Sequence, residues 1–304
     1  MKLSAWARYP GLLAIAAGLT VAAAVALPLR SGGGVTVGTG APSVTKAHPV
    51  AFFDEQVFAN AAAQAEGVAA QPMPGVRALI VPHHWAAGHL IMRGLRDLAA
   101  TGETTRIVVI GPDHVNSGSA PATTSDLPWQ TPYGRLTPDA ALIERLVATE
   151  IARADPDALS HEHSVAGLVH AIAYYLPDVE IVPLALRHDI SRERIAALAL
   201  ALAEEDVVLV AAVDFSHYLS APEAEARDAE TIAALNALDS SRLLTFGDEH
   251  LDSAPAIALA IEFAEQTGDA QFVLRENTNS GILSGSLAPP VTSYITGYFL
   301  SSAD

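Results

Sequence analysis

Val207-Val208-Leu209-Val210-Ala211-Ala212-Val213 runs without a polar residue into Asp214-Phe215-Ser216-His217. A seven-residue apolar run with β-branched valines before a polar turn predicts a strand buried on both faces. The same pattern recurs upstream. Arg77–Val81 (RALIV) stops at Pro82, Arg106–Ile110 (RIVVI) stops at Gly111-Pro112, and Val179–Leu186 (VEIVPLAL) is a third such run. Helical segments separate these strands. They are read at Phe52–Ala65, with Asp54 and Glu55 near its start, His89–Ala100, Asp139–Ala152, Val165–Leu176 and Ser191–Glu204. Further helices at Ala221–Leu238, Ser240–Phe246 and Ala254–Gln266 precede closing strands at Gln271–Arg275 and Thr292–Leu300. Strands that alternate with helices and show no alternation of their own predict a three-layer α/β/α sandwich with a mostly parallel or mixed central sheet.

The polar residues fall at the strand ends. Val81-Pro82-His83-His84, Gly111-Pro112-Asp113-His114 and Asp214-Phe215-Ser216-His217 each follow a strand, and His163 stands where Ser160-His161-Glu162-His163-Ser164 enters a helix. Ligand sites in open α/β sheets lie beyond the carboxyl ends of the strands. Three strands therefore deliver histidine to one edge, and His83, His114 and His217 are expected to converge there, with Asp214 and His163 at the margin. Such a set could hold a divalent metal such as Fe(II), Zn or Cu. A single histidine of this kind is more often a loop residue bonded to a carbonyl; three in one chain carry the argument. Asp214 either orients His217 for acid–base work or caps the following turn. His84 and His161 stay open. His89, His170, His188 and His250 are read as surface or helix-face residues, and His48 as part of the linker boundary. Glu276-Asn277-Thr278-Asn279-Ser280-Gly281 reads either as a turn or as amide and hydroxyl groups at the same edge.

Composition narrows the function classes. The 304 residues carry 17 Lys plus Arg against 34 Asp plus Glu, a formal charge of −17 that argues against a nucleic-acid partner. No cysteine is present, which excludes disulfides, zinc ribbons, thiol catalysis and a lipobox. Lys2 and Arg8 precede an apolar run from Gly11 to Leu29, in which Ala24-Val25-Ala26 offers a cleavage site. Residues 1–30 therefore read as either a signal peptide or a membrane anchor, with the rest of the chain extracytoplasmic. Residues 31–47, rich in Gly, Ser and Thr, read as a flexible linker, and 48–304 as the folded domain.

In their order these motifs resemble the Memo family, whose bacterial and archaeal members are called AmmeMemoRadiSam system protein B. Pro82-His83, Gly111-Pro112-Asp113-His114, Thr131-Pro132-Tyr133-Gly134 with Asp139, Glu162-His163-Ser164, Ile181-Val182-Pro183-Leu184, Asp214-Phe215-Ser216-His217 and Asn277-Thr278-Asn279-Ser280-Gly281 carry the likeness. It implies a fold similar to that of class III extradiol dioxygenases. It also implies His83 and His114 as metal ligands with position 280 as the third, and His217 as the acid–base histidine; Asp214 and His163 are read beside it as the rest of the catalytic group. The family has Cys where this chain has Ser280. A neutral hydroxyl is a poor ligand beside thiolate or carboxylate, so the ion either leans on His217 or His163 as well or is held weakly. Two functions compete at this level, beside a metal-dependent hydrolase for which the residues are right but no hydrolase motif is present. One is a metal-dependent, dioxygenase-like oxidoreductase acting on a small molecule. The other is a non-catalytic pocket for a metal, peptide or ligand.

Overall fold

The computed structural model describes residues 46–286 and 288–302; the apolar run at 11–29 and nearly all of the spacer after it lie outside them. Five parallel strands form the centre of the sheet: β1 (Val76–Val81), β2 (Arg106–Pro112), β5 (Gly134–Pro138), β7 (Glu180–Leu186) and β8 (Val208–Ala212), in the order β5-β7-β2-β8-β1. Antiparallel strands finish both sides. β4 (Trp129–Thr131) pairs with β5, while β10 (Ser293–Ser302) pairs with β1 and then with β9 (Asp269–Asn279). Two short strands, β3 (Ala122–Thr124) and β6 (Arg153–Ala154), attach at the end of β7. The sheet is thus mixed with a parallel core, as the strand composition predicts.

The period of two in these strands sorts their side chains between two cores. Ala78, Ile80, Val108, Ile110, Leu209 and Ala211 face a cluster that also holds α3 (Ala140–Ala148), α7 (Arg192–Ala203), α9 (Ser240–Leu243) and α10 (Ala254–Gln266). Leu79, Val81, Ile107, Val109, Val210 and Ala212 face the opposite cluster, with α1 (Glu55–Glu66), α2 (Gly88–Ala99), α5 (His163–Ala166) and α6 (Val169–Tyr175). Both faces of these central strands are covered, which is why they read as unbroken apolar runs. The helices start where capping chemistry places them. Asp54, Asp139 and Ser253 accept from Val57, Leu142 and Ala256, and Ser220 with Glu223 makes a capping box at α8 (Ala221–Asn236).

Several elements differ from expectation. The helix expected over 165–176 is two, α5 and α6, broken at Gly167; a Cβ there would stand 2.8 Å from the His163 carbonyl. α4 (Pro156–His161) precedes them, and α11 (Ser280–Ser284) occupies part of the segment read as a turn. β9 extends well past Arg275 because it is an edge strand, half exposed along its length, and so lacks a continuous apolar signature. His48 is no boundary residue: it is buried, bridges to Trp129 and stacks on that indole at 3.8 Å. His170, read as surface or helix-face, is fully buried in α6, with Nε2 2.7 Å from the Ala51 carbonyl. His250, read the same way, is buried against Phe246 and lies in a turn rather than a helix. Among the described residues no helix is long and apolar enough to cross a membrane.

Candidate metal centre

β1, β2 and β8 end side by side, and the residues after them gather polar side chains at one edge of the sheet. His83 follows Pro82 at the end of β1. Its ring Nδ1 lies 3.1 Å from the Ala212 carbonyl of β8. A carbonyl only accepts, so Nδ1 carries the proton and Nε2 keeps its lone pair. That free nitrogen stands 3.4 Å from Asp252 Oδ2 and 3.8 Å from Asp214 Oδ2. Burial and the neighbouring His114 and His163 push the imidazole well below its ordinary range, so His83 is neutral at pH 7. Asp214 is positioned by backbone: its Oδ1 accepts from the His83 and His84 amides at 3.1 and 3.5 Å.

His114 leaves β2 on the neighbouring track. Glu162 holds it twice, through the His114 amide at 2.9 Å and through Nδ1 at 2.8 Å. The carboxylate again assigns the proton to Nδ1 and turns Nε2 inward, where it lies 3.7 Å from Asp252 Oδ2. Burial works against a charge on His114, but Asp252 and Glu162 outweigh it and lift the imidazole to about 10. Burial would raise Glu162; its bonds from His114 and the Ser164 amide bring it down to about 2 instead. A metal cation would compete with the proton for His114 Nε2, so binding is expected to release one proton.

His163 stacks on His114 with ring centroids 4.2 Å apart, and its centroid is 5.1 Å from that of His83. His83, His114 and His163 each offer a ligand atom within 4.8 Å of the others, and so do His83, Asp214 and Asp252. The structure thus puts His163 in the group where His217 was expected. His217 lies close enough for its imidazole, lowered by burial, to feel Asp214, His84 and His114, while its own Nδ1 is buried without a hydrogen-bond partner. Among the described residues Asp214 makes no hydrogen bond to His217; its carboxylate turns to His83 and His84. Ser280 begins α11, and its hydroxyl accepts from the Thr292 amide at 3.0 Å, tying the end of β9 to the chain before β10. Asp113, beside His114, is turn chemistry: it accepts from the Ser117 and Gly118 amides.

Three residues of this site escape a reading of the sequence. Glu162 appears there only as part of a motif. Tyr294 reaches His84 Nδ1 at 3.2 Å from β10. Asp252 sits in Leu251-Asp252-Ser253-Ala254-Pro255, which reads as a helix start, and Ser253 does cap α10. The Phe215–Leu251 bridge and the bond from the Asp252 amide to the Asp214 carbonyl bring it to the site. Burial raises the Asp252 carboxyl to about 7 against the opposing pull of His114, and Asp214 adds to the rise.

The sequence profile of the Memo-like protein family matches residues 55–298. The chain belongs to that family. Relatives include a MEMO1 family protein of Methanopyrus kandleri, 28% identical over 72% of this chain and 81% of its own length. A MEMO1 family protein of Pyrobaculum arsenaticum is 30% identical over 70% of this chain and 81% of its own. A solved structure of an uncharacterized Escherichia coli K12 protein covers 73% of this Memo-family chain and 99% of its own, at 15% identity and a TM-score of 0.49. The matched span holds every site residue described above, from His83 after β1 to Tyr294 on β10.

Proposed function

We propose that this Memo-family protein holds a divalent metal ion on His83 and His114, within reach of His163, and acts as an oxidoreductase on a small molecule bound over the carboxyl edge of the sheet. One observation carries the reading. Both histidines have their Nδ1 proton fixed by an acceptor behind them, Ala212 O and Glu162, so that both Nε2 atoms turn toward Asp252, that of His114 becoming a donor to an ion once its proton is released. Acceptors placed behind a ring in this way are what orient and strengthen histidine ligands, and nothing about packing alone requires two of them to converge. An ion there would supply a Lewis-acidic and, for iron or copper, redox-capable centre.

The surrounding residues fit a chemical role. His217 lies within electrostatic reach of Asp214, His84 and His114, which suits it to hold or pass a proton beside the proposed ion. Asp214 balances positive charge at this edge, and the Tyr294 hydroxyl fixes His84 beside it. Export by the segment before residue 31 is part of the same proposal and rests on the sequence alone.

Metal analysis of purified protein after loading with Fe(II), Cu(II) or Zn(II) tests the reading. About one equivalent should survive desalting in the wild type and be lost in His83→Ala and His114→Ala, with His250→Ala unaffected. Equal uptake in all four forms would remove the site from this edge. Stoichiometric binding with no oxygen consumption against a panel of phenols, thiols and small acids would favour a non-catalytic binding pocket.

A further inference from the structure

Ser280 leaves the third ligand position without an anionic donor, and the same edge of the sheet carries a buried carboxyl group without a hydrogen-bond partner. Both carboxylate oxygens of Asp252 are buried without a hydrogen-bond partner, a state that costs free energy unless something else satisfies it. The groups near Asp252 Oδ2 are Nε2 of His83 at 3.4 Å and Nε2 of His114 at 3.7 Å. Neither is a hydrogen bond at that length. Two atoms that bind one ion at about 2.1 Å each can stand at most about 4.2 Å apart; both separations from Asp252 fall inside that limit, and His83 and His114 offer nitrogens within 4.8 Å of each other, so a small closing movement of the two rings completes the set.

We propose that Asp252, from the turn that leads into α10, is the third protein ligand and completes a two-histidine, one-carboxylate set with His83 and His114. The proposal rests on the metal reading above and adds a donor that neither the sequence motifs nor the family likeness supplies. The donor set has a consequence for the ion. Thiolate sites favour Cu(I) and Zn, whereas two imidazoles with one carboxylate and open positions suit a non-haem Fe(II). A chain without cysteine has reached an anionic third donor from another element, and Ser280 is left to bind the Thr292 amide.

The rival account of the same distances is an ion pair, Asp252 with a protonated His114. Titration with Co(II) as a spectroscopic probe, and with Fe(II) under anaerobic conditions, separates the two. The forms compared are the purified wild type, Asp252→Asn, Asp252→Ser and Ser280→Ala. Asp252→Asn and Asp252→Ser should each bind Co(II) and Fe(II) at least about tenfold more weakly and lose intensity in the Co(II) visible bands, while Ser280→Ala stays within about twofold of the wild type. Losing an outer-shell partner alone costs about 10–100-fold in affinity, so losing a ligand should be no milder. Melting without metal guards against misfolding: Asp252→Asn should still unfold in one cooperative transition, with any loss of stability smaller at a pH where His114 is neutral, because the change removes a carboxylate that faces the protonated imidazole. Wild-type affinity in Asp252→Asn, with binding lost in Ser280→Ala, would overturn the assignment and leave the metal reading intact. No binding by the wild type would overturn both.

Discussion

Glu162 accepts from His114 at two atoms and fixes both the orientation of the imidazole and the ring nitrogen that carries its proton. Glu162→Gln keeps the shape but no longer forces Nδ1 to be the donor, so His114 can present either nitrogen to the site. Metal affinity should fall about 10–100-fold, read by competition against a chelator, with thermal stability changed far less; an unchanged affinity would show that Glu162 serves the fold alone. A second titratable residue reports on stability instead. Burial holds His48 down to about 4 from an ordinary 6.5, with its ring nitrogens 2.7 Å from the Ser160 and Ser125 hydroxyls. Since the folded value lies below the unfolded one, this contribution is complete above about pH 6.5 and is lost as pH falls towards 4. The stability gap between the wild type and His48→Gln should therefore be widest near neutral pH and narrow across that window. Melting curves at several pH values check it, and a constant gap would mean that His48 does not titrate in the fold. His48 was illegible in the sequence because it borders a Gly- and Ser-rich stretch and its partners, Ser125, Trp129 and Ser160, lie far along the chain. Asp252 was illegible for a similar reason, since the helix-start pattern around it is real and a long-range bridge gives it its second role. His83 and His114 were legible because each comes just after an apolar strand whose end can be seen.

At the scale of elements, the site depends on how α5 approaches β2. The Ser164 hydroxyl donates to the Pro112 carbonyl at 3.0 Å, which pins the start of α5 against the end of β2. A Cβ at Gly111 would clash with the Ser164 side chain, its β carbon only 2.8 Å away. Gly111→Ala should therefore push α5 outward and carry Glu162 and His163 away from His114. Overpacking of this kind costs about 1–3 kcal/mol, so both the melting temperature and the metal affinity should fall. Stability lost with affinity retained would show that α5 does not position the site. The elements the sequence shows clearly, β1, β2, β7 and β8, are covered on both faces and so carry an unbroken apolar record. β3, β4 and β6 are two or three residues long and leave no period to read. β9 is masked by its half-exposed edge, and the break between α5 and α6 by Gly167, one residue inside a pattern that is otherwise helical.

For the whole molecule, charge and donor chemistry bear on the same question. Residues 1–45 contain none of the 34 acidic residues and carry Lys2, Arg8 and Arg30, so the chain is cationic over that stretch and strongly acidic after it. An apolar run behind a positive start favours retention of that start in the cytoplasm and passage of the downstream chain across the membrane. The donors at the site are imidazole and carboxylate, and the chain has no thiol to oxidise. Such a site tolerates an oxidising compartment, where a cysteine ligand would be exposed to disulfide formation and over-oxidation. We propose export on the charge pattern of residues 1–45. A phosphatase reporter that is active only outside the cytoplasm, fused after Lys46, should be active in intact cells. Replacing Leu12, Leu13 and Ile15 with Asp should abolish that activity, because each charge costs about 2.5–3.5 kcal/mol at the centre of an inserting helix. Fractionation then separates the two forms of the proposal: reporter in the soluble extracytoplasmic fraction marks cleavage near Ala24-Val25-Ala26, and reporter in the membrane fraction marks an anchor. Activity confined to the cytoplasm would refute both, and the acidic domain would then have to meet its substrate inside the cell.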